Sequence, residues 1–296
     1  MKIAHAAELI RAGRLVAFPT ETVYGLGANA LDAGAVERIF AAKGRPRSSP
    51  LIVHVDSVEM ARGLAARWPE AAETLARRYW PGPLTLVVPK RAGIPDIVTA
   101  GLPTVGLRMP AHPLALELIR AAGVPIAAPS ANRFTELSPT AAGHVPEALA
   151  DYVLDGGPAR VGIESTVLSL AGERPALLRP GVIPLPEIEE LIGPVEAAAA
   201  PDGDAHPSPG MHPRHYRPAT PLYLLRAGDP VPAEGRGAWL RIGREMPGDA
   251  RAYAAALYEM LHRLDAQGFD WIAVERPPET PEWAGVLDRL RRAAAG

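Results

Sequence analysis

A chain of 296 residues, 22% charged and 48% apolar with a formal net charge of −2, has the composition of a soluble globular protein with room for two cores. No stretch approaches the roughly eighteen consecutive apolar residues of a membrane span, residues 1–14 lack the apolar run of a signal peptide, and the charge argues against a surface that coats nucleic acid throughout. The absence of cysteine excludes a disulfide scaffold, thiolate metal sites and cysteine nucleophiles, and the expected location is the cytoplasm.

Helical and strand patterns alternate along the first part of the chain. Apolar spacing predicts a short helix over Ala6–Ala12, a strand over Leu15–Phe18, a helix over Ala33–Ala42 and a strand over Leu51–Val55. A helix over Ala71–Tyr79 and a strand over Leu84–Val88 follow. Further strands are expected at Val105–Arg108, Ile126–Ala128, Tyr152–Leu154 and Ser165–Leu170, with a helix over Leu114–Ala121. Most are short apolar runs and not clean alternations, which fits a largely covered, mixed α/β sheet. From Pro194 to Pro221 the chain is rich in Pro, Ala, Gly, His and Asp without apolar periodicity, and reads as an extended linker. A small α/β unit comes last, with strands near Leu222–Arg226, Trp239–Ile242 and Trp271–Val274 and helices over Ala252–Gln267 and Glu282–Ala294. The expected division is therefore a domain over 1–193, a Pro-rich linker over 194–221 and a small domain over 222–296. No internal repeat is present.

The densest chemistry lies in Lys43-Gly44-Arg45-Pro46-Arg47-Ser48-Ser49-Pro50, in a chain whose only other lysines are Lys2 and Lys90. A compact ammonium beside a flat guanidinium fork suits a polyphosphate, with hydroxyls and amides around the bend taking the remaining oxygens. A solvated basic turn is the alternative for such a loop alone. Four more constellations surround it. Pro19-Thr20-Glu21-Thr22-Val23-Tyr24-Gly25-Leu26-Gly27 reads as a turn after the first strand, and Thr104 to Pro110 places Arg108 at a strand end where a cation can take a carboxylate. Ala128-Pro129-Ser130-Ala131-Asn132, followed by Ser138 and Thr140, suits a tight ligand wall or a capped turn. Ile163-Glu164-Ser165-Thr166-Val167 is the last, with Arg179-Pro180-Gly181 downstream.

Together these segments closely resemble the threonylcarbamoyl-AMP synthase family in its two-domain form. The similarity runs from the first strand through Gly181 and resumes at Ser208-Pro209-Gly210-Met211 and His215-Tyr216-Arg217-Pro218. The resemblance implies a twisted, mixed-sheet, YrdC-like α/β domain with a cationic cavity, followed by a small C-terminal α/β Rossmann-like domain. It implies that L-threonine, bicarbonate and ATP, with Mg2+ accompanying the ATP, become threonylcarbamoyl-AMP and pyrophosphate. That is the first step of threonylcarbamoylation at adenosine 37 in tRNAs reading ANN codons, the product passing to a tRNA threonylcarbamoyl-transferring complex. Direct contact with tRNA is left open, and no membrane is involved. By the same resemblance Thr22, His54, Arg108, Ala128 and Ser165 bind threonine, and Arg45, Ser49, Thr104, Ser130, Ser138 and Arg179 bind ATP. Lys43 and Arg45 act on the phosphates, no protein residue is assigned to a metal, and the linker closes over the nucleotide as a lid through His215 or Tyr216. Ser49 departs from the family, which usually has Asn there.

Two rival readings exist. Gly25-Leu26-Gly27-Ala28-Asn29-Ala30 satisfies the dinucleotide pattern G-x-G-x-x-A and Asp56 ends the next strand, as in an NAD-dependent oxidoreductase, but Pro19–Tyr24 separates the first strand from the glycines. A non-catalytic RNA-binding module would need exposed cations or stacking aromatics, yet aromatics are only 5% of the chain and the basic loop is flanked by turns that suit a small ligand. His206, His212 and His215 lack the fixed scaffold a structural zinc requires, and neither a G-x-S-x-G nor a Walker A loop occurs.

Overall fold

The computed structural model describes residues 2–197, 215–226, 228–230 and 234–295. The larger unit comprises α1 (Lys2–Arg11), β1 (Val16–Phe18), β2 (Gly25–Asn29), α2 (Ala33–Lys43), β3 (Ile52–His54), α3 (Val58–Leu64), α4 (Glu70–Tyr79) and β4 (Leu84–Pro89). It continues through α5 (Asp96–Thr99), β5 (Thr104–Arg108), α6 (Pro113–Ala122), β6 (Ile126–Ala127), β7 (Tyr152–Val153), β8 (Thr166–Ser169), β9 (Ala176–Arg179), α7 (Leu185–Ile192) and β10 (Glu196–Ala197). Its strands form one ten-stranded mixed sheet in the order β10-β9-β8-β4-β5-β3-β6-β2-β1-β7.

Both faces of this sheet are covered, which is why its strands read as apolar runs. In β1, Val16 and Phe18 pack with Ile10 of α1 and Leu118 of α6, whereas Ala17 joins the opposite core with Val36, Ile39 and Phe40 of α2. Asp32 caps α2 by accepting from the amides of Gly34 and Ala35 at 2.9 and 3.2 Å, a contact of about 1 kcal/mol. Gly44 ends that helix in the left-handed region at φ 63°, where a side chain would be strained, and turns the chain into Arg45.

The glycine-rich segment corrects the dinucleotide reading. Gly25–Asn29 is not a phosphate loop before a helix but strand β2 itself, antiparallel to β1 with Val16 opposite Gly27. A Cβ on Gly27 would come within 2.8 Å of Phe18 and 2.9 Å of Ile126, so glycine is required there by side-chain crowding on neighbouring strands. Strand β10 falls inside the expected linker yet pairs in parallel with β9, while Ser208-Pro209-Gly210-Met211, His206 and His212 lie outside the described residues.

The C-terminal unit holds β11 (Leu222–Leu225), β12 (Gly237–Leu240), α8 (Ala250–Ala266), β13 (Trp271–Glu275) and α9 (Ala284–Ala294). Its three strands run parallel in the order β11-β13-β12. Tyr253, Leu257 and Leu261 of α8, Ile272 and Val274 of β13, and Val286 and Leu290 of α9 form its core. That core is continuous with Val23, Leu137 and Ile163 of the larger unit. No helix among the described residues is long and apolar enough to cross a membrane.

Candidate active site

Several strand ends of the large sheet converge on a single cavity of about 530 Å³. His54 ends β3 and Arg108 ends β5, directly opposite one another in the parallel register. Thr22 follows β1, Ala128 and Ser130 follow β6, Ser165 precedes β8 and Arg179 ends β9. All seven line the cavity, together with Arg45, Glu164, His215 and Tyr216.

On one side, Glu21 orients Arg108. Arg108 Nη2 donates to Glu21 Oε1 at 2.7 Å and its Nε to the carbonyl of Gly82 at 3.3 Å, while the amide of Ala111 donates to Glu21 Oε2 at 2.9 Å. Both partners are buried. Thr22 Oγ1 lies 2.9 Å from Thr20 Oγ1, and Thr20 in turn accepts from the amides of Thr22 and Val23, so a side-chain turn fixes this hydroxyl. Burial, aided by the Arg108 charge, pushes the His54 imidazole down to about 3, so it is neutral at physiological pH.

Across the cavity, Arg45 Nη2 donates to Ser49 Oγ and, at 3.2 Å, to the carbonyl of Pro50. Burial, with the nearby Arg179 charge, lowers the Arg45 guanidinium to about 10, so it stays charged near neutrality. Arg179 donates from Nε and Nη2 to the Ser165 carbonyl at 3.2 and 3.1 Å, and Ser165 Oγ lies 2.8 Å from Thr85 Oγ1. The carboxylate among the lining residues is Glu164, which accepts from Ser138 Oγ at 2.5 Å, Tyr258 Oη at 3.2 Å and Arg289 Nε at 2.7 Å. Burial pushes its carboxyl up, but the Arg289 and Arg179 charges and these bonds outweigh burial and hold it below the usual carboxylate range.

His215 and Tyr216 form a further wall, their rings 4.2 Å apart, and Tyr216 has a backbone φ of 63°. Burial, then the charges of Arg45 and Lys43, push His215 well below its ordinary range. Buried Arg45 Nε, His54 Nδ1, His215 Nδ1 and Tyr216 Oη all lack a hydrogen-bond partner among the described residues. Buried polar atoms are nearly always paired, so four unpaired ones on residues of a single cavity mark a place prepared for a polar ligand.

Not every expected residue reaches that cavity. Lys43 Nζ donates to the carbonyls of Ser130, at 2.6 Å, and Asn132, bracing the Pro129–Asn132 turn from behind. Ser49 stands behind Arg45 and Ser138 behind Glu164. Thr104 lines an adjoining cavity of about 300 Å³ with Thr85, Thr99 and Val167. Conversely, sequence reasoning assigned no role to Glu21, Glu164, Thr85, Tyr258 or Arg289. Glu21 and Glu164 sit inside the motifs it singled out, and their being the only acids in those motifs was the available signal. Among the described residues, no group of three or more His, Cys, Asp or Glu side chains is placed to hold a metal ion.

The neutral histidines give a pH expectation. The unfolded chain titrates His54 at about 6.5 and the folded chain at about 3, so the unfolded state binds more protons between these values and stability falls as pH drops through that window. Between pH 7 and pH 5 the loss is about 2 kcal/mol for His54, with His215 adding in the same direction. Urea unfolding at the two pH values measures it; His54→Asn should flatten the dependence, and equal stability at both would contradict burial of a neutral imidazole.

Comparison with known proteins agrees with this geometry. The sequence model of the family described as "Telomere recombination" matches residues 8–181, and that of the "Threonylcarbamoyl-AMP synthase, C-terminal domain" matches residues 183–295. The threonylcarbamoyl-AMP synthases of Pyrococcus abyssi and Bacillus subtilis are 45% and 43% identical, over 99% and 100% of this chain and 94% and 93% of theirs. A crystal structure of P. abyssi Sua5 complexed with L-threonine superimposes with a TM-score of 0.91 at 42% identity, covering 99% of this chain and 94% of that one. A His→Ala, Tyr→Ala double variant of P. abyssi Sua5 superimposes with a TM-score of 0.90 at 42% identity, covering 99% and 92%. With both domain models matched in order and similarity along the whole chain, this protein belongs to the threonylcarbamoyl-AMP synthase family.

Proposed function

We propose that this protein is a cytoplasmic L-threonylcarbamoyladenylate synthase, converting L-threonine, bicarbonate and ATP into threonylcarbamoyl-AMP and pyrophosphate for tRNA modification at adenosine 37. The observation that carries this reading is the single cavity that holds Arg45, Arg108 and Arg179 together with buried polar atoms of Arg45, His54, His215 and Tyr216 that are unpaired among the described residues. Arg108, held by Glu21, takes the threonine carboxylate, while Thr22, neutral His54 and Ser165 read the substrate's hydroxyl and amine with the Ala128 backbone. Arg45, Arg179 and Ser130 hold the phosphates of ATP in a net cationic cavity, and Thr104 faces its nucleoside from the adjoining space. Ser49 supports Arg45, Ser138 acts through Glu164, and Lys43 sets the shape of the Ser130 turn without touching a phosphate.

The threonine amine adds to CO2 with loss of a proton, or condenses with bicarbonate with loss of water, and an oxygen of the resulting carbamate attacks the α-phosphorus and expels pyrophosphate. Little covalent help is needed, so alignment and fixed positive charge at the phosphoryl oxygens supply the catalysis. Magnesium comes with the nucleotide substrate, and Glu164, the carboxylate lining the cavity, is engaged by Ser138, Tyr258 and Arg289. The carbamate is unstable in water, which gives the segment between β10 and β11, carrying His215 and Tyr216, the role of a lid between a catalytic domain that runs through β10 and a Rossmann-like domain over 222–296. The product goes on to a tRNA threonylcarbamoyl-transferring complex.

Steady-state pyrophosphate release tests the amino-acid assignment. Threonine should exceed valine in kcat/KM by about 10²-fold or more, because a buried site prepared for a hydroxyl leaves polar groups unpaired when the hydroxyl is missing. Comparable efficiency for the two would contradict it.

A further inference from the structure

Arg289, in α9 of the C-terminal unit, is 0% exposed and is not among the residues that line the cavity. Its Nε donates to Glu164 Oε2 at 2.7 Å, Nη2 to the Glu164 carbonyl at 3.2 Å, and Nη1 to the Pro180 carbonyl at 2.8 Å. Asp288 Oδ2 also accepts from Nη1 at 2.9 Å, and the guanidinium carbon stands 5.3 Å from the centre of the Tyr216 ring. One side chain thus touches three separate segments, and each of them reaches the cavity. Glu164 precedes Ser165, Pro180 follows Arg179, and Tyr216 forms a wall itself. Ser165 and Arg179 are in turn bonded to one another.

Mere adhesion between the two units does not call for such a group. Apolar contact already joins them through Val23, Leu137 and Ile163, and apolar replacement of a buried ion pair is often neutral or stabilising. A guanidinium differs in that its rigid planar fork fixes several acceptors in set directions at once.

We propose that Arg289 is a positioning residue: a wedge from the C-terminal domain that sets Glu164–Ser165, the Arg179–Pro180 turn and the Tyr216 ring relative to one another and so completes the active cavity. The kinetic consequence rests on the synthase reading; the wedge itself does not. Two variants of the full-length protein test it together. Arg289→Lys keeps the charge but loses the fork, and Glu164→Gln/Arg289→Met removes both charges so that neither is left buried alone.

Hydrogen exchange should be faster than in the parent over 162–168 and 179–183 in both variants, with the β11-β13-β12 sheet still protected. Both should lose kcat about 10- to 100-fold at a temperature where circular dichroism shows them folded, as misplacement of reacting groups does. Val274→Ala, a core truncation in β13, should lower Tm and leave kcat within about twofold, which separates positioning from general loss of stability. Unchanged exchange in the two segments, or parental kcat and KM in Arg289→Lys, would overturn the wedge. A parent protein that turns over ATP without threonine would overturn the synthase reading instead and leave the exchange result to decide on the wedge.

Discussion

Arg45→Ala is expected to lower kcat about 10²- to 10³-fold with the fold intact, the size of effect seen when a preorganised donor facing developing charge is removed. The Gly44 cap aims this side chain, while Ser49 and the Pro50 carbonyl hold Nη2 on one edge. The guanidinium carbon lies 6.0 Å from the centre of the Phe134 ring, and Nε is left buried and unpaired among the described residues. A donor fixed in this way needs no reorganisation as charge builds on the phosphoryl oxygens. Arg45→Lys should recover little, since a compact ammonium lacks the planar fork that holds Ser49 and Pro50 through Nη2 while presenting Nε elsewhere. Arg108→Ala should behave differently and chiefly raise KM for threonine, because a ground-state carboxylate contributes equally before and during reaction. Steady-state kinetics for the two variants provide the check, and the reverse pattern would contradict the assignment of phosphate to Arg45 and carboxylate to Arg108.

How much of this was legible in the sequence depended on the kind of interaction. The covered strands were, because β1 divides Val16 and Phe18 from Ala17 between two cores and both sides must be apolar. Strand β2 was not, because Gly25-Leu26-Gly27 carries little intrinsic strand preference and its glycines answer to crowding by Phe18 and Ile126, which only the tertiary pairing creates. Motifs at strand ends, and for Arg45 at the end of α2, brought Thr22, Arg45, His54, Arg108, Ser130, Ser165 and Arg179 to one cavity, and distance along the chain hid what supports them. Lys43 looked like a phosphate ligand by its place in a basic loop. Its position in α2, seven residues after Val36 and three after Phe40, puts it on the apolar stripe and turns it inward to two carbonyls. Arg289 carried the same signal, since it shares the stripe of Val286, Leu290 and Ala293 in α9 while Arg291 and Arg292 do not. A cation at a core position of a helix is a site to be explained, and here its partner, Glu164, lies 125 residues away.

That long-range pairing bears on how the two units work together. The buried Arg289–Glu164 pair and a shared apolar core join the two units, so separating them would break this pairing and expose that apolar surface to water. The ends of the large sheet supply most of the cavity-lining side chains, and the C-terminal helices supply Tyr258 and Arg289 behind them.

In the proposed reaction an amino-acid carbamate, not water or a protein group, is the nucleophile at the α-phosphorus. Threonine and bicarbonate must then both be present before pyrophosphate can leave, since neither alone forms the attacking oxygen. The measurement is pyrophosphate release from ATP by the full-length protein, with L-threonine omitted in one series and bicarbonate, in degassed buffer, omitted in another. Release with all three substrates and a fall to background in each omission is the expected result; equal release without threonine would contradict the account.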